Sequence, residues 1–225
     1  MSLTLSLGYS VRRRYLDRDL AGARAAMAGR VLEIGSGRAG TRGRFERPVT
    51  GIISWTHVDR DGLRQPHVRA MVERLPFGPH AFDTVVCLEV LEYVWQPAHA
   101  LVELRRVLKP GGALVLSTPF FHRTDADDDY WRFTEPALRR LLGEAGFEVV
   151  QCHAQGHALA AAVNVLQYVL SVQTRWRRRA LAFWCRPIFG ALLSADARTA
   201  GRRPDLAAFS TGYLVVARAT GGQAA

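Results

Sequence analysis

Apolar residues in this chain fall into short continuous runs separated by stretches with helical spacing. The runs predict strands at about Arg30–Ile34, Ile52–Val58 (ending at Asp59), Val68–Val72, Phe82–Leu88, Ala113–Ser117, Phe147–Cys152 and Tyr213–Ala217. A run such as Val85, Val86 and Leu88 has no polar alternation, which suits a parallel strand covered on both sides. Between the strands, Leu101, Leu104, Val107 and Leu108 share one face of a helix over Pro97–Leu108. Lys109-Pro110-Gly111-Gly112 stops it, because proline cannot continue a helix and glycine accepts left-handed backbone. Another helix is expected from about Tyr15 to Ala28, closed by Gly29. A third runs from a Thr134 cap, with Pro136 in its first turn, to about Ala145. Alternating strands and helices imply an α/β fold with a mostly parallel sheet.

The richest stretch is Val31-Leu32-Glu33-Ile34-Gly35-Ser36-Gly37, an apolar strand running into a glycine turn. Gly35 and Gly37 let the backbone turn sharply and approach a ligand without a Cβ in the way. In open α/β sheets, ligands bind at the carboxyl ends of strands near the point where strand order reverses. Strand two ends at Asp59, about two dozen residues after the turn, where a carboxylate can accept bonds from both hydroxyls of a ribose. Strand four ends at Glu89.

Length and composition add bounds. The chain has 225 residues, which suits one domain, 1–225, with a helical lead-in over 1–29 and an insertion over 156–205. The net charge is +10, and Lys109 is the only lysine, so the excess is arginine. Coding bias explains this as well as attraction to anionic partners does. Cys87, Cys152 and Cys185 show neither metal nor redox spacing, so no metal site is expected and a reducing cytoplasm fits. Leu3–Leu7 is too short for a signal-peptide core, and no apolar run reaches transmembrane length. The arginines lack an appended nucleic-acid module, so nucleic acid is not an expected partner.

The ordered set of Val31–Gly37, Val58-Asp59, Leu75-Pro76-Phe77, Phe82-Asp83, Glu89-Val90-Leu91-Glu92-Tyr93-Val94 and Glu103–Gly112 resembles the class I S-adenosylmethionine-dependent methyltransferases, in the broad type 11 group. The resemblance covers about Arg30 to Val150. It implies a Rossmann-like, doubly wound, seven-stranded sheet with an antiparallel last strand and a helical insertion before it. It also implies S-adenosylmethionine as cofactor. Glu33, Gly35, Ser36 and Gly37 would line its methionine and ribose side. Asp59 would hold the ribose, and Glu89 would sit beside the cofactor. Two positions depart from the pattern. Met71 stands where relatives carry an acid, leaving adenine to backbone groups and to packing by Met71 and Val72. Tyr93 replaces the usual histidine and becomes a candidate contact to the acceptor.

Past strand five, Pro119-Phe120-Phe121-His122 and Asp127-Asp128-Asp129-Tyr130-Trp131-Arg132-Phe133-Thr134 look like a subgroup of these enzymes found with surface-polysaccharide pathways. That resemblance implies O-methylation of a sugar hydroxyl in a glycan or a lipid-linked saccharide. Methylation of another small molecule, such as a quinone or polyketide, is the alternative; RNA methylation and a non-catalytic cofactor-binding scaffold rank lower. His122 is the first candidate for a general base, since imidazole titrates near neutral pH. Asp129 is a candidate to orient or replace it. Tyr130 and Trp131 offer aromatic faces to a sugar, and Arg132 offers a guanidinium to a phosphate. Two apolar stretches, Ala158–Val172 and Ala180–Leu193, flank Arg175–Arg179. A cap over the acceptor, an anionic membrane contact and a homodimer contact are the three readings of this segment.

Overall fold

A computed structural model describes residues 9–36 and 45–221, and for residues 175–182 the backbone alone. Seven strands form one sheet: β1 (Gly29–Ile34), β2 (Ile52–Asp59), β3 (Val68–Arg69), β4 (Phe82–Leu88), β5 (Leu108–Pro119), β6 (Phe147–Ala154) and β7 (Gly212–Ala219). Their order is β3-β2-β1-β4-β5-β7-β6. The first five pair in parallel, and β7 runs antiparallel between β5 and β6. This is the expected doubly wound sheet with an antiparallel last strand. Strand order reverses between β1 and β4, so the carboxyl ends of those strands border the crevice where such folds bind ligands.

Each face of the sheet is closed by its own apolar layer. On one face Leu32, Val85, Leu114 and Leu116 pack against Leu101 and Leu104 of α2 (Pro97–Val107) and Leu138 and Leu142 of α3 (Glu135–Glu144). On the other, Val31, Val86 and Val115 meet Leu16 and Leu20 of α1 (Val11–Gly22). Neighbouring strand residues thus face opposite layers, which is why the strands read as unbroken apolar runs. The segment between β6 and β7 is helical: α4 (Ala158–Ser171), α5 (Arg175–Ala200) and the short α6 (Pro204–Ala207). Val11 and Tyr15 of α1 pack with Val163 and Leu170 of α4 and Phe189 and Leu193 of α5.

Several boundaries differ from expectation, each for a local reason. The first helix starts at Val11, because Ser10 caps it by accepting from the Arg13 N–H at 3.2 Å. Its expected tail tightens into a 3-10 turn at Ala23–Ala26. β3 stops at Arg69, and the chain then turns through an isolated Met71–Arg74 bridge. β5 begins at Leu108, and its register against β4 shifts between Phe82 and Thr84 to absorb Lys109–Gly112. Thr134 caps α3 as read, accepting from the Ala137 N–H at 3.4 Å.

The amino-terminal ends of β1, β4 and β5, away from the crevice, are tied together by Asp83. Its carboxylate accepts from the Arg30 N–H at 2.8 Å and from the Lys109 ammonium at 2.5 Å. Gly29 precedes this contact with φ +68°, and a Cβ there would lie 2.5 Å from Asp83 Oδ2. Gly29→Ala therefore combines a disfavoured backbone with displacement of the carboxylate. We expect it to destabilise the protein by about 2 kcal/mol or more, measured by denaturant unfolding.

Candidate functional site

The carboxyl ends of β1, β2 and β4 open into one cleft of about 620 Å³, lined among others by Gly35, Ser36, Asp59, Met71, Val72, Glu89 and Tyr93. That volume lies within the roughly 300–1,000 Å³ of small-molecule sites. Gly35 turns the chain out of β1 with φ +61°, and the Ser36 N–H reaches the Val58 carbonyl at 3.3 Å. Asp59 is only 7% exposed, and its Oδ1 accepts from the Asp61 N–H at 3.0 Å. Val72 is buried beneath the cleft and Met71 is half exposed at its rim. Gly37 and the rest of the glycine loop lie outside the described residues.

Glu89 is held in an uncommon backbone state, φ +56°, immediately after β4. A non-glycine residue persists there only when its surroundings over-determine it. Here the Ser117 hydroxyl donates to Oε1 at 2.8 Å, and the Arg12 guanidinium forms an ion pair with Oε2. Arg12 comes from the first turn of α1. The Val11 and Arg12 N–H groups, which have no partner within their own helix, donate to the side chains of Gln167 and Asn164 on α4. The start of α1 therefore joins the cleft to the inserted helices.

Beside it lies Glu92, 1% exposed, with Oε2 buried and without a hydrogen-bond partner among the described residues. Burial raises its pKa to about 7, with the Arg12 charge opposing the shift. Arg12 itself is held below the usual arginine value by burial, while Glu92 pulls the other way.

Glu33 is turned away from the cleft. It lies on the face of β1 shared with Val31, next to Trp55 and His57 of β2. Its Oε2 accepts from Trp55 Nε1 at 2.7 Å and from Arg47 at 2.9 Å.

The loop after β5 borders the cleft at Asp125 and Ala126 and is held by its acidic residues. Asp128 pairs with Arg60 from the end of β2. Asp125 accepts from the Tyr93 hydroxyl at 2.8 Å and lies 3.8 Å from His122 Nε2. Asp129 is sequestered by Arg132, which also donates to the Arg123 carbonyl at 2.9 Å; that guanidinium holds the Asp129 carboxyl below its usual range. Asp129 and Arg132 thus fasten the loop to itself. Tyr130 meets Trp95 edge-on and Trp131 lies tilted beside it (ring centroids 5.2 and 6.1 Å), and the Trp131 indole donates to the Val94 carbonyl at 3.0 Å. This cluster lines neither the cleft nor the cavity described next.

His122 faces a second cavity of about 470 Å³, lined by Phe120, Phe121, Val165 and Tyr168 with Ser10, Arg123, Asn164, Gln167 and Ser171. Burial, followed by the Arg12 charge, lowers its pKa to about 4, so the imidazole is neutral at physiological pH. The cavities share a wall. Ser10 borders this one and Arg13, one turn along α1, borders the cleft; His122 borders this one and Asp125 the cleft. Arg12, Arg60, Glu92 and Asp125 were not singled out in the sequence. For Arg12 the available signal was a run of three arginines at a helix start, which reads as solvated charge. Asn164 and Gln167 carried a clearer one: two amides inside an otherwise apolar helix.

The two titration shifts act on stability in opposite senses. His122 is depressed, so its contribution is present above about pH 6.5 and is lost as pH falls through 4. Glu92 is raised, so its contribution is present below about pH 4.5 and is lost as pH rises through 7. Glu92→Gln mimics the protonated carboxyl. We expect it to be more stable than the parent by about 3 kcal/mol near pH 8, with the difference gone near pH 4.5, in denaturant unfolding across that range.

Comparison with known proteins agrees with this geometry. Residues 32–116 match the family described as methyltransferase domain. The ubiquinone biosynthesis O-methyltransferase of Roseobacter denitrificans is 33% identical over 113 residues, 45% of this chain and 46% of that protein. A protein of Mycolicibacterium smegmatis named as a probable S-adenosylmethionine-dependent methyltransferase is 34% identical over 143 residues, 54% of this chain and 53% of that protein. The chain thus spans about half the length of the curated relatives it matches. Among solved structures, the cyclase SpnF superposes with a TM-score of 0.61 at 20% identity, over 92% of this chain and 81% of that one. That likeness carries the fold alone. Residues 32–116 thus resemble a methyltransferase domain, and the sheet order is the one that the resemblance to class I S-adenosylmethionine-dependent methyltransferases implies.

Proposed function

We propose that the protein transfers a methyl group from S-adenosylmethionine to a hydroxyl of a small, largely apolar acceptor. The observation that carries this reading is the convergence of Gly35, Asp59, Val72 and Glu89 on one cleft at the reversal of strand order. Asp59 accepts from the ribose hydroxyls, and Met71 and Val72 pack on the adenine. The turn at Gly35 keeps side chains out of the way. Glu89, already aimed into the cleft, provides negative charge for the cationic end of the ligand. Bound there, the cofactor supplies an electrophilic methyl group, and the protein must align an acceptor and exclude water.

The second cavity receives the acceptor. Its aromatic and aliphatic wall suits an apolar ring or chain better than a saccharide, which offers hydroxyls on every side. Relatives named ubiquinone biosynthesis O-methyltransferases support the same preference. His122 stands at that wall as a neutral imidazole. The nearby Asp125 favours the proton on Nε2, leaving Nδ1 to accept the hydroxyl proton of the acceptor. Asp129 and Arg132 hold the loop that carries His122.

Asp59→Ala should weaken S-adenosylmethionine binding by at least about tenfold in calorimetry, the scale of lost hydrogen bonds to a charged group. Unchanged affinity removes the ribose assignment. With labelled cofactor, transfer to phenolic or quinol acceptors is expected, and transfer to saccharides alone overturns the apolar reading. Val165→Trp, which fills the second cavity, should raise the acceptor KM by about tenfold or more while leaving cofactor affinity unchanged.

A further inference from the structure

We infer that the outer face of α4 and α5 lies on an anionic lipid surface and that the second cavity opens beside it, so that an amphiphilic acceptor enters from the bilayer. The need for such an entry rests on the apolar-acceptor reading above; the surface itself does not. α4 and α5 pack on each other and on α1 through Leu170, Phe189 and Leu193. Facing away from that seam, Leu166 and Val169 on α4, Val172 just past its end, and Phe183, Trp184 and Ile188 on α5 are all exposed. Phe183 and Trp184 are each 72% exposed and form an edge-on pair with centroids 5.6 Å apart. An exposed apolar face of this extent marks an interaction surface. Val165 and Tyr168, on the same helix, belong to the lining of the second cavity and are themselves nearly half exposed, so face and cavity mouth are continuous.

Charge identifies the occupant. Residues 149–195 contain five arginines (Arg175, Arg177, Arg178, Arg179 and Arg186) and no aspartate or glutamate. Arg123, at the cavity, adds a guanidinium 5.0 Å from the Tyr168 ring centroid. A second copy docked by a two-fold axis would set this cationic stretch against itself, with no carboxylate to neutralise it. Anionic headgroups neutralise it directly, while aromatic and aliphatic side chains enter the headgroup boundary. Among the described residues no helix is long and apolar enough to cross a membrane, so these helices lie along the surface.

The test is flotation of the full chain with vesicles of phosphatidylglycerol and phosphatidylcholine, against phosphatidylcholine alone. Binding to the anionic vesicles only, weakened by salt, is expected. Phe183→Ser with Trp184→Ser, and separately Arg175, Arg177, Arg178 and Arg179 to Gln, should each lower partitioning by at least about tenfold, since each basic residue near the surface is worth several-fold. Cofactor affinity should stay unchanged in both variants. No partitioning, equal partitioning onto neutral vesicles, or a soluble dimer that the Phe183/Trp184 variant dissociates overturns the inference. Turnover of a water-soluble phenol without flotation sinks the membrane surface alone. Flotation without turnover of any phenol or quinol sinks the acceptor reading alone.

Discussion

A buried guanidinium organises this site. Arg12 cannot shed its charge, and removing it from water is tolerable only with carboxylates close by. Glu89 supplies the direct partner and Glu92 the second charge. Because Arg12 sits in the first turn of α1, that pairing holds the Ser10-capped start of the helix against the cleft. The freed N–H groups of that turn then require acceptors, which Asn164 and Gln167 provide from α4. The cleft, the N-terminal helix and the inserted helices are therefore one electrostatic unit. Loss of Glu89, Asn164 or Gln167 leaves a buried polar group without its complement.

The sheet was largely legible in the sequence because its signals are local. Phe82–Leu88 is apolar on both faces, Thr134 carries its own cap, and Pro110 with the glycines after it stops a helix wherever they occur. What resisted reading depends on contacts distant in sequence. Glu33 sits in a motif that points to the cleft, yet strand alternation turns it to the Trp55 side. Tyr130 and Trp131 have the chemistry of a sugar platform, but Trp95, some 35 residues earlier, collects them into a cluster of its own. Asp129 reads as a candidate base until Arg132 folds back on it. No periodicity announces a bond between residue 12 and residue 89.

The second cavity shows the same limit from the other side. Its apolar wall comes from the end of β5 and from α4, more than 40 residues apart, and only the fold brings them together. His122 illustrates how environment outweighs residue type. An exposed imidazole titrates near neutrality, whereas this one, buried near Arg12, does not gain a proton until pH 4. Glu92 moves the other way under burial. Burial thus draws both groups toward their neutral forms, by opposite shifts.

Glu89 carries a further consequence. Its left-handed backbone is a cost met when the chain folds, before any ligand arrives. The rotational freedom that a carboxylate ordinarily surrenders on binding has here been removed in advance, by Ser117 and Arg12 together. On the proposed reading of Glu89 as a cofactor contact, recognition at this point is inherited from the stability of the sheet, and a change that loosens β5 or α1 lowers affinity even where no contact to the ligand is touched.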